Sequence, residues 1–177
     1  ESSKNAEMVT QKLAQKAWVE RERYKTNMIS LSKATKLAKE VGDNPLLEPL
    51  LFADPADNPG GGGRGNTTFI LKEFLEAGVT NCVVSVFFDL YAVQAAFEAG
   101  VGAKINITLN DREKNQCSEL LTIEATVLSL HSGKFEGKYG MVAGTTADTG
   151  KTAVLQVEGI QLICISKRQQ CRSSDFI

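Results

Sequence analysis

The chain has 177 residues, 42% of them hydrophobic and 23% charged, with a formal net charge of -1 and a pI near 6.0. This is about one domain of ordinary globular composition, which excludes a disordered or fibrous class. The near-neutral charge gives no general pull toward nucleic acid or anionic lipid, and no apolar run approaches the roughly 18 residues that a membrane helix needs. Glu1 to Glu7 are polar and carry no signal-peptide pattern. The four cysteines, Cys82, Cys117, Cys164 and Cys171, form no CxxC pair. Reduced thiols in the cytoplasm are the simplest expectation.

Taken in chain order, Ala6 to Tyr24 predicts a helix, with Val9, Leu13, Ala17 and Tyr24 at helical spacing. Glu20-Arg21-Glu22-Arg23 alternates in sign and reads as a solvated face rather than a nucleic-acid contact. Ser32 to Val41 predicts a second helix, with Ser32 as N-cap. Leu46 to Asp54 is strongly apolar, and Pro49 confines the strand expected there to Leu50–Ala53. A glycine-rich loop follows from Pro55 to Asn66, then a helix over Thr67–Ala77 that Gly78 ends. Asn81 to Phe88 predicts a strand buried on both faces. Asp89 caps a helix over Leu90–Ala99, and Ala103 to Leu109 alternates as a half-buried strand does. The pattern to this point is a short parallel β-α-β-α-β unit. Beyond Asn110 the style becomes antiparallel β. Asp111 to Gln116 is a polar loop, Leu121 to His131 a strand, and Thr152–Val157 and Ile160–Ser166 a hairpin turned at Glu158-Gly159. Ser173-Ser174-Asp175 resembles a helix start. The fold class expected is therefore α/β, a parallel unit followed by antiparallel strands, with N-terminal helices.

The chemistry concentrates in the run Asp57 to Thr67. Four consecutive glycines, Gly60 to Gly63, remove every Cβ and admit positive φ. Between a strand and a helix N-terminus such a loop suits an anion, and Arg64 adds a charged fork. Three readings stand here. Gly60 to Gly65 satisfies the dinucleotide template G-x-G-x-x-G, with Asp89 after the next strand. Gly60 to Thr67 fits P-loop spacing, except that Asn66 stands where lysine is required. The third is a structural turn in which chain packs closely on chain. Asp57 either orients a substrate group or braces the loop by accepting glycine N–H bonds, and bracing is the reading preferred. Gly150-Lys151-Thr152 is rejected as a second P-loop because a strand follows it. His131 is the only histidine and reads as a structural or surface residue.

At this loop the sequence resembles a known family. Ala53-Asp54-Pro55-Ala56-Asp57-Asn58-Pro59-Gly60-Gly61-Gly62 is similar to the ADxxDNPGGG signature of the C-terminal domain of microcystinase C (MlrC)-like metallopeptidases. The likeness continues through Gly65-Asn66-Thr67-Thr68, where members usually carry Gly-Asp-Ser/Thr-Thr, so Asn66 replaces an aspartate. Phe97-Glu98-Ala99-Gly100-Val101-Gly102-Ala103 resembles the family's EAGVGA segment, Thr152-Ala153-Val154-Leu155 with Gly159 its late hairpin, and Gln170 a polar position before a final segment. The resemblance implies a zinc-dependent peptidase acting on peptide substrates, with its metal ligands in an N-terminal domain outside this chain, and none of the site residues here catalytic or metal-binding. With the loop facing the interdomain cleft in that picture, the glycine run at a helix N-terminus predicts substrate contact through Asp57, Asn58, Gly61, Gly62, Gly63, Arg64, Asn66 and Thr67, with the loop N–H groups and Arg64 holding a peptide carboxylate or carbonyl. Residues 1–45 are then expected to be a helical segment linking to that preceding domain, and 46–177 an apparently truncated C-terminal α/β domain, compatible with a homo-oligomer. Nucleotide or phosphate binding and a purely structural role are the alternatives.

Overall fold

The computed structural model describes residues 3–25, 27–112 and 117–171. The helix start expected at Ser173–Asp175, the last four residues of the 111–116 loop and the first two of the polar N-terminus lie outside the described residues. Two compact units divide at Ser30 and Leu31.

The first unit contains helix α1, Ser3–Val19, and a single 3-10 turn, Arg21–Tyr24. The expected stripe buries nothing: no α1 residue is buried. The alternating charges pair locally and stay in solvent, Arg23 with Glu20 at 3.1 Å and Lys25 with Glu22 at 2.6 Å.

The second unit is mixed α/β. Helix α2, Leu31–Gly42, buries Thr35, Ala38 and Gly42 along one face. Its end is tied to the next connection, where Lys39 Nζ donates to the Gly78 carbonyl at 3.0 Å and Asn81 Nδ2 to the Gly42 carbonyl at 2.6 Å. Helix α3 spans Phe69–Glu76 and α4 Leu90–Ala99. Strands β1 (Cys82–Phe88), β2 (Lys104–Leu109), β3 (Leu121–His131), β6 (Thr152–Val157) and β7 (Ile160–Ile165) form one sheet in the order β1-β7-β6-β3-β2. Strands β4 (Lys134–Glu136) and β5 (Thr146–Asp148) form a separate pair. The core gathers Leu71 and Phe74 from α3, Val93 and Ala96 from α4, and Ile123, Leu155, Ile160 and Leu162 from the sheet.

The fold class agrees with the sequence expectation, down to the hairpin of β6 and β7, where Val157 pairs with Ile160 across Glu158-Gly159. Three details differ. Leu50–Ala53 forms no strand. Pro49 withholds a donor, and only Phe52 of this run turns inward, meeting the Phe74 ring edge-on at 6.2 Å. Strand β1 is not buried on both faces, since Val83 is exposed, and it lies at an edge of the sheet. Its parallel neighbour is β7 rather than β2. Following the pairings across the sheet, β2 lies at the far edge and runs antiparallel to β1. Local patterning marks strands, whereas the choice of neighbour is made by contacts distant in sequence. Among the described residues no helix is long and apolar enough to cross a membrane.

Candidate functional site

The glycine loop lies between the apolar run and α3, and it reaches the C-terminal end of β1, where the Phe88 N–H donates to the Gly65 carbonyl at 2.7 Å. Two short 3-10 turns build it, Pro55–Asp57 and Pro59–Gly61. Each opens on an Asx residue followed by proline. The Asp54 side chain accepts from Ala56 N at 2.9 Å, and Asn58 Oδ1 accepts from Gly60 N and Gly61 N at 2.9 and 3.3 Å.

Asp57 closes the loop from within. One carboxylate oxygen accepts from Gly65 N at 2.8 Å and the other from Thr67 N at 2.7 Å. The Asn58 carbonyl takes the N–H groups of Gly61 and Gly63 at 2.9 and 2.8 Å, and the Pro59 carbonyl takes that of Gly62 at 3.2 Å. The N–H groups of Gly60, Gly61, Gly62, Gly63, Gly65 and Thr67 therefore all donate inside the loop. An anion cradle needs its donors aimed outward, so the same geometry removes the support for a phosphate or dinucleotide turn.

The glycines have packing reasons. A Cβ on Gly63 would stand 2.8 Å from the Asn58 backbone nitrogen, and Gly62 adopts φ +100° with open space around it. Asn58, Gly60, Gly61 and Gly62 are exposed, Asp57, Gly63, Arg64 and Thr67 are half-buried, and Asn66 is buried. The site residues expected from the sequence thus divide into an exposed tip and an enclosed base.

Below the base lies a largely buried polar network, of which the sequence reading includes Asp89, Asn66 and Thr68 but not the parts of Asn110 and Ser118. Asp89 Oδ1 caps α4 through Tyr91 N and Ala92 N at 3.0 and 2.9 Å, and its Oδ2 accepts from Asn110 N at 3.0 Å. Asn110 Nδ2 donates to the Asn66 carbonyl at 2.8 Å and reaches Ser118 Oγ at 3.2 Å. Ser118 Oγ accepts from Thr68 N at 3.0 Å, and the Thr68 hydroxyl donates to the Glu119 carbonyl at 2.9 Å. Asp89 and Asn110 so join the ends of the two edge strands beneath the loop. Asn110 sits at φ +63°, a conformation that asparagine tolerates better than most residues, and its Oδ1 is buried without a hydrogen-bond partner. The Cys164 thiol is pushed up by burial and then by the Asp89 charge, so it stays neutral and behaves as a core residue.

His131 lies at the exposed end of β3, with Nε2 2.9 Å from Ser129 Oγ, as a surface residue. Two of the clefts among the described residues lie elsewhere. One of ≈ 130 Å³ is lined by Asp89, Tyr91, Thr108, Asp111 and Arg112 among others. The other, of ≈ 640 Å³, runs between α3 and β3. Neither is lined by a residue of the glycine loop.

The family model described as MlrC C-terminus matches residues 52–177, a span that contains the whole loop. The chain is 24% identical over 137 residues to Microcystinase C of Sphingomonas sp., an alignment covering 77% of this chain and 26% of that protein. It is also similar to the crystal structure of a provisionally named metallopeptidase from Mesorhizobium sp. BNC1, with a TM-score of 0.72, 26% identity, and coverage of 89% of this chain and 31% of that one. The chain thus spans between a quarter and a third of the length of these two relatives.

Proposed function

The chain belongs to the MlrC C-terminus family, and from that premise we propose that it is the C-terminal domain of an MlrC-like zinc metallopeptidase that hydrolyses peptides. In this reading the zinc site belongs to a domain outside the matched region, and the glycine loop faces the active-site cleft. The observation that carries the reading is the family match over the loop, together with the loop's build, an exposed tip on a hydrogen-bonded base.

The loop's own residues do not fit zinc. Both Asp57 oxygens already accept backbone N–H bonds, as do both oxygens of Asp89. Among the described residues no group of three or more His, Cys, Asp or Glu side chains converges. In this reading the part of the present chain is to shape and orient the peptide. Asn58, Gly61, Gly62 and Arg64 form the peptide-contacting surface. Asp57, Gly63, Asn66 and Thr67 fix that surface from beneath. We also place the protein in the cytoplasm, where its thiols stay reduced.

The test uses a full-length polypeptide that carries this domain, assayed on linear peptides with Arg64→Ala and Gly62→Ala and with thermal melts as a folding control. Transition-state positioning by the loop predicts a fall of about tenfold or more in kcat/KM. Unchanged kcat and KM in both variants would sink the reading. Zinc-dependent peptide hydrolysis by the present chain alone would overturn the placement of the metal site in another domain.

A further inference from the structure

The segment Leu46-Leu47-Glu48-Pro49-Leu50-Leu51 forms neither helix nor strand. Its leucines at 46, 47, 50 and 51 are 91%, 42%, 48% and 92% exposed. Single exposed leucines need no explanation, but four within six residues make a concentration that marks an interaction site. The segment cannot escape into the sheet, because Pro49 lacks the donor that a ladder requires. Nor does it collapse on the core, because Phe52 alone reaches it, through Phe74 of α3.

Its position relates it to the loop. The segment leads through Phe52 into Asp54, the first residue of the loop's Asx turns. On the other side of the loop Phe69, the first residue of α3, is 47% exposed. Asp57 clamps the two ends of the loop through Gly65 N and Thr67 N. Apolar side chains in water therefore flank the glycine loop in sequence on both sides.

The length of the relatives identifies the occupant. The matched region is 26% of Microcystinase C and 31% of the Mesorhizobium protein, so in both the larger part of the polypeptide lies outside it. We infer that Leu46, Leu47, Leu50, Leu51 and Phe69 form the docking surface for the remaining domain of such a longer polypeptide. An apolar face of that domain seats on the leucines and brings its chemistry over the loop. This inference rests on the function proposed above and adds the surface that makes the cleft.

Hydroxyl-radical labelling of side chains, read by mass spectrometry, tests it on this chain and on the full-length Mesorhizobium relative. Expected is strong labelling of the four leucines here, and labelling about tenfold slower at the aligned positions of the relative, as covered sites show. Equal labelling in both overturns the docking surface. Covered leucine positions in a full-length enzyme whose kcat and KM are unchanged by Arg64→Ala and Gly62→Ala would keep the docking surface and overturn the cleft reading of the function. Sedimentation of this chain supplies the remaining outcome: a dimer that dissociates on Leu46→Ser/Leu51→Ser would assign the patch to a second copy and overturn the inference.

Discussion

Asp57 is the residue on which the loop's geometry turns. Its two oxygens bind N–H groups eight and ten residues along the chain, so one side chain sets the path of the intervening glycines. Truncation leaves two half-buried donors unpaired, each costing about 1–3 kcal/mol. Asp57→Ala is expected to lower the unfolding free energy by about 2–4 kcal/mol, measured by urea denaturation. A loss below about 0.5 kcal/mol, the range of ordinary surface substitutions, would show that the bracing is unimportant. Its bracing role was legible in the sequence, since an aspartate beside an Asn-Pro-Gly turn has local N–H groups within reach. Asn110 and Ser118 were not legible. They meet Asn66 and Thr68 across 44 and 50 residues respectively, and no local pattern records such a meeting.

At the scale of elements, α4 and β2 share one anchor. Asp89 supplies the N-cap of α4, a role that the sequence shows directly, and also accepts from Asn110 beyond β2, a role that it does not. Asp89→Ala is expected to cost about 1–2 kcal/mol for the cap and about 1–3 kcal/mol for the stranded Asn110 N–H. Asp89→Ser keeps a capping oxygen and is expected to restore the first part only. A thermal melt in which Ser rescues fully would remove the bridge to β2 from the account. The apolar run at Leu50–Ala53 shows the opposite case. Composition alone reads as a strand, but a strand needs a partner, and Pro49 with a single inward Phe52 leaves the run outside the sheet.

For the whole molecule, the sheet order places β6 and β7 between other strands and leaves β1 and β2 at the edges. Ile160, Leu162 and Leu155 are completely enclosed. Native-state hydrogen exchange is therefore expected to be slowest in β6 and β7, with the outward-facing amides of β1 opening first. An exchange map in which those β1 amides outlast β6 would contradict the edge assignment. Burial of the docking leucines in a longer polypeptide would leave this ranking unchanged, because the leucines precede the sheet and belong to no strand.

By itself the sequence determined the mixed α/β class, the late antiparallel hairpin, the Asp89 cap and the signature that places the chain in its family. These depend on residue type at short spacing, which is what periodicity, capping and turn chemistry record. Only the tertiary structure decided that β7 rather than β2 lies beside β1, that the leucines of residues 46–51 stay in water, and that the glycine N–H groups point inward. Strand neighbours, burial and hydrogen-bond direction are set by contacts between distant parts of the chain, and the same local pattern is compatible with several such arrangements.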